Sequence, residues 1–410
     1  MKPKLALLTD FGSTYTKVCA VDVDTGRLYG RAQFPTTMDS DIAQGWREAV
    51  EHLRQKEGVD LSTVSAQLAC SSAGGGLRMV TVGFVPRYTS KAGQMAALGA
   101  GAKVVGSYSY RLAEAQITEI RNLSPDILLL CGGTDGGDAD TVLANAQKLA
   151  VLGPDCVTVF AGNQDVRDEI ARLFSQTDKR LRLTENVMPE IGDVNTQGVT
   201  NLVRELFAEH VIKAKGIDRV QELTGNIVMP TPAAVYAGLE LLSSGAEGSD
   251  GLGELIAVDV GGATTDVYSF SHGSPTRANV ILRSLREPYG KRTVEGDIGV
   301  RLNAPHLVNT AEAEELLGQM THHDNFRTLA EPLPSHRSWL PSTEEEWSFD
   351  ASLAAVAIAV AVRRHAGRLS EIYTVEGARL IQDSKDLSEV GTCIGIGGPL
   401  VYSRDGIRTL

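Results

Sequence analysis

DFGSTYTKV, residues 10–18, and DVGGATTDV, residues 259–267, are the two stretches that decide the fold of this 410-residue chain. In each, an apolar run is followed by an aspartate, an apolar residue and a glycine, and small residues then lead to a second β-rich run that begins at a valine. This pattern predicts two β-hairpins. Because similar units recur about 250 residues apart, we expect a duplicated fold whose two halves face each other.

The small residues of the two hairpin turns suit a phosphate-binding site. Backbone N–H groups and hydroxyls in such turns can approach phosphate oxygens closely without any net protein charge. Two opposed turns would hold a polyphosphate from both sides. The residues expected to bind phosphate are Gly12, Ser13, Thr14 and Tyr15 in the first turn and Gly261, Gly262, Ala263, Thr264 and Thr265 in the second.

The aspartates at the mouths of the turns, Asp10 and Asp259, indicate a metal ion. Their carboxylates would repel a phosphate unless a divalent cation lay between them, and Mg²⁺ prefers oxygen ligands and keeps several of its waters. Lys17 is expected near the terminal phosphate, where it would offset negative charge. Asp266 enters its strand where Lys17 enters the first, and we expect it to orient an attacking water.

A third glycine element, IGIGGPLV, occupies residues 394–401. Gly395, Gly397 and Gly398 would let the backbone lie flat against an adenine ring and ribose, and Pro399 can start a helix. The element is not a dinucleotide-binding fingerprint, because Leu400 stands where that motif needs its last glycine.

The order of predicted elements indicates the domain organisation. Residues 1–91 would begin the first half, and residues 92–190 alternate strands with helices, which predicts an inserted α/β domain with a parallel sheet covered on both faces. Residues 191–245 would return through a helix to complete the first half. After a Gly- and Ser-rich linker, residues 254–410 would form the second half, with a lid-like insertion at about 303–350.

Composition excludes several functional classes. The net charge of −12 leaves no basic surface for nucleic acid. The five cysteines are scattered, odd in number and never spaced as CxxC, which favours a reduced, cytoplasmic setting without structural zinc. The longest apolar run, residues 353–362, is about half of a membrane span, so we expect a buried helix and no membrane partner.

In this order, the two hairpins and the late glycine turn resemble those of the superfamily of actin, the Hsp70 chaperones and the sugar kinases. DFGSTYTK is similar to its first phosphate motif, DVGGATTDV to its second and IGIGGPLV to its adenosine motif. RTVEGDIGVR, residues 292–301, looks like a helix start and resembles the connecting motif, which places Glu295 at the hinge; a salt-bridged surface is the alternative. The resemblance implies a duplicated actin/Hsp70-like ATPase fold, with two ribonuclease H-like halves, that binds ATP and Mg²⁺.

Longer strings, TDFGSTYTKVCAVD, SSAGGGLRMVTVGFVP, LLLCGGTDGGD and NVMPEIG, resemble the glutamate mutase accessory proteins. Members of that family accompany adenosylcobalamin-dependent mutases. The resemblance therefore implies a chaperone-like ATPase, a reactivating factor that uses ATP to expel damaged cobalamin from a mutase partner. It leaves association of the chain with itself open.

Two other classes remain open from the sequence. An ATP-dependent hydrolase of the hydantoinase or oxoprolinase type has a loop similar to residues 259–266 and would consume ATP only with an amide-ring or sugar substrate. An actin-like filament subunit would instead form polymers that sediment in the presence of ATP.

Overall fold

A computed structural model describes residues 3–12, 15–37, 42–72, 77–211, 227–283, 285–317, 325–336, 339–375 and 377–410. The first half opens with two antiparallel hairpins and a helix. Its first elements are β1 (Leu5–Phe11), β2 (Tyr15–Asp22), β3 (Leu28–Pro35), α1 (Ile42–Lys56) and β4 (Val64–Ser71). Helix α1 buries Ile42, Trp46, Ala49 and Leu53, whose spacing of three and four residues forms one apolar face.

The inserted α/β domain follows β4. Its elements are β5 (Arg78–Gly83), α2 (Lys91–Gly99), β6 (Lys103–Ser109), α3 (Glu114–Asn122), β7 (Ile127–Leu130), α4 (Asp140–Leu152), β8 (Val157–Phe160), α5 (Arg167–Ser175) and β9 (Arg180–Leu183). All strand pairs in this sheet are parallel, in the order β6-β5-β7-β8-β9. Strands β7 and β8 are fully buried, as expected for a sheet covered on both faces.

The parallel sheet begins earlier in the chain than the expected start of the insertion at residue 92. Strand β5 lies in that sheet, whereas its sequence was grouped with the first half. A short apolar run does not reveal which sheet it joins, because periodicity reports only burial. The division of the chain into domains at the predicted boundaries stays a prediction.

The chain then returns to the first half. The returning elements are α6 (Gln197–Val211), β10 (Ile227–Pro230), α7 (Thr231–Ser244) and a two-stranded ladder, β11 (Gly245–Ala246) with β12 (Ser249–Asp250). Strand β10 pairs in parallel with β4, which completes a sheet of order β3-β2-β1-β4-β10. In this sheet β1, β2 and β3 are antiparallel neighbours, and β4 is parallel to β1.

The second half repeats this topology. Its elements are β13 (Leu255–Val260), β14 (Thr265–Phe270), β15 (Val280–Leu282), β16 (Gly290–Glu295), α8 (Ala304–Val308), α9 (Ala311–Leu317), α10 (Phe326–Ala330), α11 (Glu344–His365), β17 (Arg368–Thr374), β18 (Gly377–Asp383), β19 (Thr392–Ile396), α12 (Gly398–Val401) and α13 (Gly406–Thr409). The main sheet has the order β16-β14-β13-β19, with two antiparallel pairs and then a parallel one. This order matches the first four strands of the first half. The predicted duplicated actin/Hsp70-like fold, with ribonuclease H-like halves and an inserted α/β domain, is confirmed.

One local expectation in the second half was wrong. Residues 292–295 lie at the end of β16 and not at a helix start, since the next helix begins only at Ala304. The lid-like insertion at about 303–350 stays a prediction. In the described part of that region, short helices bury Leu307 and Phe326 in one core with α11. Apolar residues on helices of five to seven residues are too few to show a period.

Helix α11 contains the longest apolar run of the sequence and is buried, as predicted. Its N-terminus carries a capping box, in which the Glu346 N–H donates to Thr343 Oγ1 at 3.2 Å and the Thr343 N–H donates to Glu346 Oε2 at 3.1 Å. Within the described ranges, no helix combines the length and the apolar character that crossing a membrane requires.

Candidate functional site

The two hairpins have the same strand register. Asp10 on β1 pairs directly with Lys17 on β2, and Asp259 on β13 pairs directly with Asp266 on β14. The two positions that the sequence comparison matched are therefore matched in the structure as well. In each half the aspartate lies on the first strand of its sheet, close to the turn.

The turns of the two hairpins are closed by matching hydrogen bonds. The Gly12 N–H donates to Tyr15 O at 3.1 Å, and the Gly261 N–H donates to Thr264 O at 2.9 Å. A Cβ atom at either glycine would lie less than 3 Å from the accepting carbonyl oxygen, so both positions require glycine. Two predicted residues of the first turn lie outside the described residues, namely Ser13 and Thr14.

Segment 298–303 stabilises the second turn through hydrogen bonds. Its backbone N–H groups donate to Gly262 O, and the Asn303 amide donates to Ala263 O at 2.6 Å. Thr265 donates from its buried hydroxyl to a carbonyl of the same segment at 3.0 Å. These hydrogen bonds engage backbone carbonyl oxygens of the turn and the hydroxyl of Thr265. Together they fix the shape of the turn.

Asp10 lies where three strands of the first sheet end. Thr231 Oγ1 donates to Asp10 Oδ1 at 2.7 Å, and Lys17 Nζ lies 3.4 Å from Asp10 Oδ2. The Cys70 Sγ atom is 3.7 Å from the same Oδ1. Burial, and secondarily the charge of Asp10, raise the pKa of Cys70 to about 12, so that it remains a thiol at neutral pH.

Thr231 and Cys70 are site residues that sequence reasoning missed. They belong to α7 and β4, far along the chain from Asp10, and only the strand order brings them together. Since parallel strands end at the same edge of a sheet, the strand-to-helix junction after β10 was the available signal.

Charged residues of both halves act on the carboxyl group of Asp259. Burial, and after it the charge of Asp266, raises the pKa of its carboxyl from 3.8 to about 7. Lys17 lowers this pKa and Asp10 raises it. Because Lys17 and Asp10 belong to the first half, their influence on Asp259 indicates that the two hairpins lie near each other.

The third glycine element lies against the second hairpin. Gly397 has a φ of +95°, and a Cβ atom there would lie 2.2 Å from Val260 O and 2.9 Å from Asp259 Oδ1. Gly395 precedes it on β19, while Gly398 and Pro399 start α12 as the sequence predicted. Backbone of the predicted adenosine element therefore directly contacts the predicted metal ligand.

Gly397→Ala should prevent nucleotide binding and lower the free energy of unfolding by about 1–3 kcal/mol. The added methyl group would meet a carbonyl oxygen and the Asp259 carboxylate, and alanine disfavours a positive φ. Chemical denaturation and nucleotide titration measure the two effects. Gly391→Ala is the matched control, because nothing lies within 4 Å of a Cβ atom there. Equal behaviour of the two variants would contradict the packing argument.

Asp266 is held in a buried ion pair. Arg292 Nε donates to Asp266 Oδ1 at 2.8 Å, and the Nη2 atom of the same guanidinium lies 2.6 Å from that oxygen. This contact gives Asp266 a structural partner, and its predicted role in orienting water stays a prediction. Glu295 is likewise paired, with Arg364 of α11 at 2.7 Å.

The sequence model of the MutL protein family matches residues 6–410. The chain belongs to the MutL family. "Protein MutL" from Clostridium tetanomorphum is 42% identical over 401 residues, which cover 97% of this chain and 87% of that protein. This membership confirms the resemblance drawn from the sequence.

The solved structures that match this MutL-family chain have low sequence identity to it and low TM-scores. An acetone carboxylase in its nucleotide-free form is 15% identical with a TM-score of 0.36, and the match covers 73% of this chain but only 49% of that one. Xylulose kinase from Bifidobacterium adolescentis is 13% identical, with a TM-score of 0.28 and coverage of 98% and 86%. A glycerol dehydratase reactivase is 12% identical, with a TM-score of 0.24 and coverage of 80% and 76%.

Asp10 and Asp259 of this MutL-family chain are the two carboxylates that the sequence predicted as cation ligands. Among the residues that the structure describes, no group of three His, Cys, Asp or Glu side chains could hold a metal by itself. Asp10 and Asp259 nevertheless suit Mg²⁺, which is usually bound through one or two carboxylates, waters and phosphate oxygens. The raised pKa of Asp259 also signals a buried carboxylate whose charge a cation would balance.

Proposed function

We propose that this MutL-family chain is an ATP-hydrolysing accessory protein that reactivates an adenosylcobalamin-dependent mutase, such as glutamate mutase, by promoting release of damaged cobalamin. The observation that supports the ATPase part is the pair of matched hairpins, together with the influence of Asp10 and Lys17 on the pKa of Asp259. Family membership and the sequence resemblance to mutase accessory proteins support the mutase partner.

The residues predicted to bind metal, phosphate and adenosine have separate roles in this proposal. Asp10 and Asp259 would hold Mg²⁺, which when bound supplies charge stabilisation to the phosphoryl group. Lys17, which is 56% exposed beside Asp10, is free to move toward a terminal phosphate. Backbone N–H groups of the two turns other than those of Gly12 and Gly261, which close the turns, would bind phosphate oxygens, and the backbone of β19 and α12 would bind adenosine.

The proposed coupling to a partner requires the nucleotide to lie between the two halves. A nucleotide that contacts both hairpins favours the closed arrangement, and loss of its terminal phosphate removes part of that preference. Such coupling is typically worth about 1–3 kcal/mol, which is enough to loosen a partner interface.

A cytoplasmic location is part of the proposal. The five cysteines are all free thiols in the structure. Burial raises the pKa of Cys131 and of Cys156, so neither reacts readily. Free, unreactive thiols suit a reducing compartment.

Reactivation of a mutase tests the proposal directly. A mutase inactivated with hydroxocobalamin is incubated with the chain and MgATP, and its activity is measured after adenosylcobalamin is supplied. We expect activity to return with MgATP and not with MgADP. ATP hydrolysis without any return of activity would overturn the accessory role and leave the ATPase. Hydrolysis that requires an amide-ring substrate would favour the hydantoinase type, and ATP-dependent sedimentation would favour a filament subunit.

A further inference from the structure

Helix α2 connects the inserted α/β domain to the second half at both of its ends. Its buried residues Ala92, Ala96 and Ala97 share a core with residues of the parallel sheet. At its first residue, Lys91 Nζ lies 2.7 Å from Glu287 Oε1, and that carboxylate belongs to the second half. The inserted domain is therefore attached to the second half by specific polar contacts.

The other end of α2 is held by Arg292. The Nη1 atom of Arg292, on β16, donates to Leu98 O at 2.8 Å and to Ala102 O at 3.1 Å. These carbonyl groups lie in and just after the last turn of the helix, where a cation is favoured by the helix dipole. The same guanidinium holds Asp266 through Nε and Nη2, and only 3% of the Arg292 side chain is exposed.

We propose that Arg292 is a positioning residue that couples the second phosphate hairpin to the inserted α/β domain through the last turn of α2. This inference rests on the proposed function, in which Asp259 binds the metal–nucleotide complex. Asp266 lies directly opposite Asp259 in the hairpin, so a ligand that moves the hairpin also moves Asp266.

The chemistry of the guanidinium makes the coupling tight. Its donors point in fixed directions within one plane, so Arg292 cannot follow Asp266 without changing its contacts with the helix carbonyls. Breaking either side would leave buried charged or polar groups without partners. A change in the position of Asp266 therefore changes the order of the last turn of α2. The coupling acts equally in the opposite direction, from α2 to Asp266.

Hydrogen exchange without nucleotide tests the connection itself. Arg292→Lys keeps the positive charge but loses the guanidinium group, which contacts Asp266 and the helix carbonyls at the same time. Asp266→Asn removes the negative charge that pairs with the guanidinium. In both variants we expect amide exchange in peptides covering residues 96–102 to rise at least about tenfold. Arg78→Lys is the matched control, because the Arg78 guanidinium also donates to a helix-end carbonyl, Leu123 O at 2.7 Å, but within the inserted domain. Wild-type exchange of residues 96–102 in both test variants would overturn the proposal.

Hydrogen exchange with MgATP tests the coupling. In the wild type and in Arg78→Lys, binding should change exchange at residues 96–102, whereas Arg292→Lys should bind nucleotide, as measured by calorimetry, without that change. A full response in Arg292→Lys would overturn the proposal. Failure of the wild type to bind MgATP would overturn the proposed function, while the nucleotide-free experiment would still decide whether Arg292 joins the hairpin to α2.

Discussion

Replacement of Asp10 by asparagine should lower kcat for ATP hydrolysis by about 10²–10³-fold. Asparagine keeps the size of the side chain and an oxygen that can accept the hydrogen bond from Thr231, so the fold should persist. The substitution removes the negative charge that we expect to bind Mg²⁺ and that forms an ion pair with Lys17. Steady-state hydrolysis at saturating MgATP measures the change, and thermal unfolding confirms that the variant is folded.

Asp22→Asn is a matched control for this prediction. Asp22 lies at the opposite end of β2 from Lys17, where its carboxylate accepts from the Asp24 N–H at 3.1 Å and from the Thr25 hydroxyl at 2.9 Å. Loss of the Asp22 carboxylate should lower the free energy of unfolding and leave kcat for ATP hydrolysis unchanged. If Asp10→Asn retained wild-type turnover, Asp10 would have no part in hydrolysis and the site assignment would be wrong.

The Asp259→Asn variant should be more stable than the wild type above pH 7 in metal-free buffer. Burial raises the pKa of Asp259 from 3.8 to about 7, so between these values the folded protein keeps a proton that the unfolded chain has released. The contribution of this group to stability therefore falls as pH rises from about 4 to 7. About three units of pKa correspond to roughly 4 kcal/mol, which asparagine would restore because it resembles the protonated carboxyl.

Denaturant unfolding from pH 5 to pH 8, with a chelator present, measures this difference. We expect the advantage of Asp259→Asn to grow with pH and to level off above pH 7. Added MgATP should reverse the order, because ligand binding stabilises the wild type and the variant has lost a metal ligand. An advantage that does not change with pH would show that the carboxylate is not destabilising in the free protein.

The local patterns of the sequence predicted the elements that depend on neighbouring residues. The matched hairpins, the alternating strands and helices after β5 and the glycine turn at β19 each have a signal within about twenty residues. Their register follows from turn length and from alternation of buried side chains. For this reason the pairing of Asp10 with Asp259 as equivalent positions could be stated before the fold was known.

Features that depend on distant contacts could not be predicted in this way. Thr231 meets Asp10 across 221 positions of the chain, and Arg292 meets the end of α2 across about 190. Thr231 belongs to no motif, and the motif that begins at Arg292 does not show what its guanidinium contacts, because a single hydroxyl or guanidinium in the right place satisfies each contact. The sequence grouped strand β5 with the first half for the same reason, since its pairing with β6 and β7 is known only once those strands are placed.

Strands β4 and β10 are side by side, although the entire inserted domain separates them in the chain. A domain inserted between two adjacent strands of a sheet can be replaced by another domain without disturbing the sheet. The sheet of the first half could thus accept a different domain at this junction. Such a domain would contact Arg292 on β16 only if it offered carbonyl acceptors in place of those of Leu98 and Ala102.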